Sequence, residues 1–305
     1  MQQLKLYSSI IFAMVFWSFS FIWTRVAILS FPPVTLITLR LLIASFLLYS
    51  ISKSAGKFQK LKKKDVKWFL LLAFFEPYMY YMGETFGLTM VEATLASVII
   101  ATIPLFAPIL AYILIREKIS FSNITGILVS LSGVFIVIYR PGSGLNASPL
   151  GVGLLFLAVF SAICYTTTLR KISTEYSTFN VIFYQSFFGL LYFIPTFLTL
   201  DFKHISMIKV STEGITALFM LSVFASVIAF VLFAWAVRKM GVAKTNAFVN
   251  LIPVFTALFA WFIIGERITL LQWIGIAIVV SGLFVSQLNK FRFRFPFKSI
   301  KGTEY

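Results

Sequence analysis

The chain has 305 residues, of which 60% are hydrophobic, 18% aromatic and only 12% charged. Ordinary soluble domains hold about 45–50% apolar and about 25% charged residues, so water is excluded as the main solvent of most of this chain. The formal net charge of +16 would suggest nucleic acid in a soluble protein, but the basic residues cluster in short connections between apolar runs, which argues for membrane topology and against a nucleic-acid partner.

A bilayer core about 30 Å thick needs about 20 mostly apolar residues per spanning helix. Apolar runs bounded by turn or charge signals predict helices near 7–29, 34–51, 66–87, 91–115, 121–139, 150–169, 179–199, 212–237, 241–264 and 270–288. The first run follows Lys5 and exceeds the 7–15-residue core of a signal peptide, so it reads as a retained helix. Phe31-Pro32-Pro33, the Lys-rich segment 53–67 and the turn Pro141-Gly142-Ser143-Gly144 separate successive runs, and the last also marks a seam. Cys164 is the single cysteine and lies in an apolar run as a small buried residue, which leaves no disulfide or thiolate metal site.

Cytoplasmic loops retain Lys and Arg. If the N-terminus is inside, one side collects 20 of these residues and the other only Arg140, Lys203, Lys209 and Arg267, with Arg25 and Arg40 inside apolar runs. Both termini are therefore expected in the cytoplasm. The basic loop and the tail Phe291-Arg292-Phe293-Arg294-Phe295 serve as topology determinants and are candidate contacts for anionic lipid headgroups.

Offsetting the sequence against itself by 149 residues aligns the fourth and fifth predicted helices with the ninth and tenth. Ile103-Pro104, Phe106, Ala111, Glu117, Ile119, Gly126-Ile127, Ser132-Gly133 and Phe135 recur as Ile252-Pro253, Phe255, Ala260, Glu266, Ile268, Gly275-Ile276, Ser281-Gly282 and Phe284. A weaker offset of 145 sets Ala13, Arg25 and Arg40 opposite Ala158, Arg170 and Gln185. Five helices per copy is an odd number, so the second copy enters the membrane inverted. Inverted repeats characterise many secondary transporters, whose substrate site lies near the midplane between the halves.

The pattern of Pro104 followed by Glu117-Lys118-Ile119, and of Pro253 followed by Gly265-Glu266-Arg267-Ile268-Thr269, resembles the EamA-type repeat of the drug/metabolite transporter superfamily. The likeness spans essentially the whole chain. It implies an all-α polytopic protein of the bacterial inner (plasma) membrane, with repeats at 1–140 and 150–288 and a basic tail at 289–305. It further implies a secondary transporter that exports or exchanges an amino acid, another metabolite or a drug-like solute. The first copy departs from the second by carrying Arg116 where the second has Gly265.

A charge at mid-membrane costs about 2.5–3.5 kcal/mol on insertion scales and needs a partner, a cavity or a function. Arg40 lies roughly 9 Å into the second helix and Glu76 roughly 15 Å into the third, with Glu84 two turns beyond on nearly the same face. Glu76, Tyr80 and Glu84, with Arg40 or Trp17 nearby, are the candidate lining of a central cavity. Proton exchange at Glu76 or Glu84 is one use of the carboxylates, and a buried pair between Arg40 and a carboxylate is the purely structural one. Asn246 and Asn250 share a face one turn before Pro253 and are candidates for substrate amide or carboxylate groups, or for bonds across a helix interface. Tyr165, Thr166, Thr167 and Gln185 are weaker candidates.

Pro104, Pro108 and Pro253 are candidate hinges or packing kinks. The glycines at 126, 133, 275 and 282 fit close helix packing, and Glu117 and Glu266 fit helix capping or local ion pairs. No phosphate-binding Gly-Lys-Ser/Thr loop, paired histidine, nucleophile elbow or metal-ligand cluster is present, so the sequence points to no cofactor, no metal and no enzyme. His204, beside Asp201 and Lys203, reads as solvated loop, and the glycosylation-like Asn146-Ala147-Ser148 as a chance match. The expected partners are a small-molecule substrate and the lipid bilayer, with a homodimer left open. A closed membrane receptor or scaffold is the rival reading.

Overall fold

The computed structural model describes residues 2–106, 120–140, 144–145, 147–169, 171–172, 175–203, 210–240, 245 and 248–286. Asn246, Pro108, Glu117, Lys118, His204 and the basic tail lie outside the described residues. The described chain is mostly helical, and one strand pair of two residues each sets β1 (Tyr139–Arg140) against β2 (Gly144–Leu145).

The helices are α1 (Gln2–Ala27), α2 (Pro33–Ser54), α3 (Val66–Ala73), α4 (Tyr80–Met90), α5 (Ala93–Ile100) and α6 (Phe121–Ile138). They continue as α7 (Pro149–Leu169), α8 (Thr178–Leu200), α9 (Thr212–Met220), α10 (Phe230–Met240), α11 (Ile252–Ile263) and α12 (Leu270–Ser286). Six apolar helices among the described residues are long enough to cross a membrane: Lys5–Ala27, Pro33–Ser54, Phe121–Ile138, Pro149–Leu169, Thr178–Leu200 and Thr212–Ala236. Shorter apolar helices cover Ala93–Phe106, Phe248–Ile263 and Leu270–Ser286. Large side chains such as Phe262 (74% exposed) and Phe46 (67%) project outward from the bundle, as suits a hydrocarbon surround and no aqueous one.

The third predicted helix is broken. A π-helical stretch at Phe74–Met79 joins α3 to α4, and Glu76 within it has non-helical backbone angles of φ −142° and ψ 115°. Pro77 is the physical reason, since it offers no N–H to the preceding turn and its ring crowds the carbonyl there. The expectation that Glu76 and Glu84 share one continuous helical face gives way to two half-helices meeting at Glu76. The eighth predicted helix carries a matching π stretch at Leu221–Ala229, between α9 and α10. The ninth enters through a 3₁₀ turn at Phe248–Leu251, and Pro253 falls in the first turn of α11, where its missing N–H costs least.

Helix pairs are fixed by small residues. α6 and α12 run against each other along their lengths. A Cβ built on Gly133 would lie 2.8 Å from the Gly275 carbonyl and 2.7 Å from Val279, and one on Gly282 would lie 2.8 Å from the Gly126 carbonyl. Glycine is required here because backbone meets backbone, so the close-packing reading of all four glycines holds. α4 packs on α7 in the same manner through Gly83, Gly87 and Gly151, and α2 packs on α8.

Hydrogen bonds tie each end of the bundle. At one end Asn180, fully buried at the start of α8, accepts from the Gln59 N–H at 3.1 Å and donates to the Lys57 carbonyl at 2.8 Å. Tyr184 donates to the Gln59 carbonyl and Tyr176 to Asp65. The Lys-rich loop is thus strapped to the bundle, and only its exposed cations, such as Lys62 paired with Glu175, face outward. That exposed pairing holds the Lys62 ammonium above, and the Glu175 carboxyl below, their ordinary ranges. At the other end Asp201 accepts from the Thr35 N–H at 2.7 Å and from its hydroxyl at 2.9 Å. Glu266 accepts from the Ala93 and Thr94 N–H groups and the Thr94 hydroxyl, capping α5 from a distant segment. Of the two expectations for Glu266, capping or a local ion pair, the structure shows capping, although of an unforeseen helix.

Gly133→Leu is expected to destabilise the α6–α12 pair by about 1–3 kcal/mol through overpacking, while Gly153→Ala, with no atom within 4 Å of the added Cβ, leaves the melting temperature in detergent unchanged. Asn180→Ala strands the Gln59 N–H and the Lys57 carbonyl at about 1–3 kcal/mol for each group left unsatisfied. Trypsin should then cut the 57–64 segment faster than in the wild type.

Candidate functional site

Among the described residues, the buried charged side chains inside the spans are Arg40, Glu76 and Glu84, which are 5%, 8% and 5% exposed. Glu76 sits in the first π stretch, which packs on α7 and α8, Glu84 lies in α4 beyond it, and Arg40 lies in α2, which packs on the second π stretch. Glu76 is carried by the break itself, and α8 closes in behind it because Gly189 leaves room for the Pro77 ring. The Ser161 hydroxyl of α7 donates to the Phe75 carbonyl at 2.5 Å, meeting an acceptor that the break exposes.

Arg40 reaches across to the second π stretch. Its Nε donates to the Ser226 hydroxyl at 2.6 Å and its guanidinium carbon lies 4.3 Å from the centre of the Tyr81 ring, a cation–π distance. Tyr80 donates to Glu84 Oε1 at 3.1 Å. Arg40 and Glu84 are thus both tied to the first turn of α4, Arg40 through the Tyr81 ring and Glu84 through the Tyr80 hydroxyl. No ion pair within 4.0 Å forms between Arg40 and either carboxylate; the Lys62–Glu175 contact is the one such pair among the described residues. The structural reading of Arg40 as a direct buried salt-bridge partner is therefore corrected: the guanidinium is held by a hydroxyl and an aromatic face.

The Glu76 carboxylate accepts no hydrogen bond from the described residues, whereas Glu84 accepts one from Tyr80. Tyr165 donates to Gln185 at 3.0 Å. Thr166 and Thr167 turn back onto the Ile163 carbonyl of their own helix. Trp17 packs between Phe230 and Phe233, with ring centres 5.2 and 4.8 Å away, and joins the same apolar cluster as Tyr80. Asn250 sits in the 3₁₀ turn, 1% exposed, with both amide atoms unpartnered among the described residues; Asn246 lies outside them. Pro104 follows a turn at 101–102 and Pro253 follows the 3₁₀ turn, so both stand at helix discontinuities.

Sequence reasoning brought out Arg40, Glu76, Tyr80 and Glu84 as one group and missed Ser226, Ser161 and Tyr81 as their supports. Ser222 and Ser226 stand four residues apart in an otherwise apolar run, a faint signal that the run presents a polar face. At the end of the bundle where Glu266 caps α5, an open depression of about 460 Å³ is lined by Arg25, Thr89, Pro33, Ile264 and Glu266. Arg25 donates there to the Leu88 carbonyl at 2.8 Å.

The profile of the EamA-like transporter family matches this chain twice, over residues 4–139 and 149–288. An uncharacterized transporter, YetK, of Bacillus subtilis (strain 168) is 28% identical over 95% of this chain and 88% of its own length. An uncharacterized transporter of Archaeoglobus fulgidus is 26% identical over 88% of this chain and 94% of its own. A probable amino-acid metabolite efflux pump of Escherichia coli (strain K12) is 22% identical over 89% and 91%. A solved crystal structure, named only as that of a protein, shares the fold with a TM-score of 0.67 at 17% identity, over 92% of this chain and 96% of its own. With two matches that together span nearly all of a multi-pass helical chain, this protein belongs to the EamA-like transporter family.

Proposed function

We propose that the protein is a secondary transporter that exports or exchanges a small organic solute across the plasma membrane by alternating access. Its ten spans form two inverted five-helix halves, at 1–140 and 150–288, with both termini and the 289–305 tail in the cytoplasm. The observation that carries the reading is the buried group of Arg40, Glu76, Tyr80 and Glu84, set where two spans depart from α-helical geometry. Buried charge and irregular backbone at membrane depth are costly, and are tolerated where they line a substrate path. The E. coli relative named as an amino-acid metabolite efflux pump supports a metabolite-sized cargo and outward movement.

The inverted arrangement is supported by which residues meet. Under the 149-residue offset Gly126 corresponds to Gly275 and Gly133 to Gly282, so the observed contacts Gly126–Gly282 and Gly133–Gly275 exchange with each other. Ser130 donates to the carbonyl of Val279, its own counterpart 149 residues on. That self-pairing is what a two-fold axis between the copies requires. The π stretches of the third and eighth spans correspond as well, as do the discontinuities before Pro104 and Pro253, which serve as hinges. Asn250 faces the pathway in at least one state of the cycle and meets its partners there. Glu76, which accepts no hydrogen bond from the described residues, exchanges a proton or a cationic group as the cavity opens to each side.

In proteoliposome counterflow, Glu76→Gln with normal expression should lower exchange by about tenfold or more, the scale of losing one buried charge contact. Wild-type flux with wild-type pH dependence would remove Glu76 from the mechanism. In a Cys164→Ser background, single cysteines at Tyr80 and Asn250 should react with an impermeant maleimide from one side without substrate and from the other with it. Protection from both sides under every condition would favour a closed scaffold.

A further inference from the structure

The segment that joins α2 to α3 carries seven lysines between residues 53 and 67, and the proposed pathway makes no use of them. A topology signal needs only their charge, yet this segment is also ordered. Gly56, at φ 64°, turns the chain out of α2, and the Lys57 N–H returns to the Ser52 carbonyl at 2.9 Å. The Gln59 side chain donates to the Glu175 carbonyl at 2.9 Å and accepts from the Ser177 N–H at 2.6 Å, while the Lys62 N–H donates to the Tyr176 hydroxyl at 3.0 Å. Phe58 and Leu61 pack on the apolar cluster at the start of α8, the Phe58 ring centre 5.7 Å from that of Phe183. Lys57, Lys60, Lys63 and Lys64 between them are exposed. The nearby carboxylates are engaged, Glu175 with Lys62 and buried Asp65 with the Tyr176 hydroxyl. Both flanks of the segment mark its depth. Lys53 Nζ lies 5.3 Å from the centre of the Tyr49 ring, near the end of α2, and Lys67 Nζ 5.3 Å from that of Trp68, at the start of α3. Tyr and Trp settle at the level of the lipid headgroups, so the chain between these two anchors lies along the membrane–water boundary.

We infer that this ordered segment is a binding surface for anionic phospholipids, with Lys57, Lys60, Lys63 and Lys64 donating to the headgroup phosphates of one leaflet. Each ammonium offers three donors to phosphate oxygens in charge-assisted hydrogen bonds. Fixing the backbone beforehand removes part of the ordering entropy that a loose loop would lose on contact. A bilayer is favoured over an acidic protein as the occupant because the aromatic anchors hold the cations at the depth where phosphates lie. Net negative lipids are preferred over phosphatidylcholine, whose own cation offsets its phosphate. The inference rests on the multi-pass character of the chain and stands whether or not the bundle transports.

The full-length protein is reconstituted in phosphatidylcholine bilayers with or without phosphatidylglycerol, labelled briefly with acetic anhydride and read lysine by lysine by mass spectrometry. Each of the four lysines should react about fivefold more slowly when phosphatidylglycerol is present, the scale of one lysine against an anionic membrane surface. High salt should abolish the difference. Lys203, an exposed cation beyond the opposite end of α8, reports the general effect of surface potential and should slow much less. Equal slowing of Lys203, or no slowing of the four, overturns the assignment. In phosphatidylcholine bilayers, inorganic phosphate or polyglutamate should protect none of the four. Protection by either as strong as that by phosphatidylglycerol overturns the lipid surface, in favour of a soluble phosphate or an acidic polypeptide respectively. Asn180→Ala keeps every lysine and releases the segment, so protection should fall towards the level of Lys203, and full protection overturns the role of order. If that variant does not survive purification, the wild-type arms decide.

Discussion

Hydrocarbon offers no hydrogen bonds, and a backbone that crosses it has to satisfy its N–H and C=O groups from within. That requirement makes the described residues mostly helical, and it makes every departure from the helix conspicuous. The departures are few and each has a local remedy. The break at Pro77 leaves carbonyls that Ser161 and the widened π turn take up. The 3₁₀ turn before Pro253 places the proline where its lost N–H matters least. The loops follow the same logic: Asn180 and Asp201 supply the donors and acceptors that irregular ends lack. The buried charges sit against one of these repaired breaks, so the polar chemistry is concentrated where the backbone has already departed from regularity.

The six long apolar helices were legible because twenty apolar residues in a row have few other uses, and the close helix pairs because a glycine at seven-residue spacing removes the side chain from one face. Arg40, Glu76 and Glu84 were legible for the opposite reason, as charges where charge is expensive. Their supports were not. Ser226 and Ser161 are single hydroxyls in apolar runs, and such residues usually bond back to their own helix, as Ser222 does to Leu218. Only the packing of α2 against the second π stretch shows that Ser226 holds Arg40. The break at Glu76 was half legible: proline announces a disturbance, but whether it yields a kink, a π turn or a new helix depends on what neighbouring helices supply.

The two ends of the bundle show what local pattern cannot reveal. Glu266 stands beside Arg267 in sequence, which suggests a local pair, yet its oxygens go to the first N–H groups of α5, more than 170 residues away. The N-terminus of a helix carries about half a positive charge, and a carboxylate placed there gains both hydrogen bonds and favourable electrostatics. Sequence neighbours offered a plausible partner and tertiary folding offered a better one.

The contact between α6 and α12, where glycine carbonyls approach bare α-carbons, has a mechanical meaning. Two helices that touch through side chains can slip when rotamers change. Two that touch through backbone have nothing soft between them, and a shift of one turn would drive Val279 or Ser130 into the opposite main chain. This pair is the stiff spine of the molecule. Deformation is left to the layers where large flexible or aromatic groups intervene, such as that between α1 and α10 around Trp17, Phe230 and Phe233.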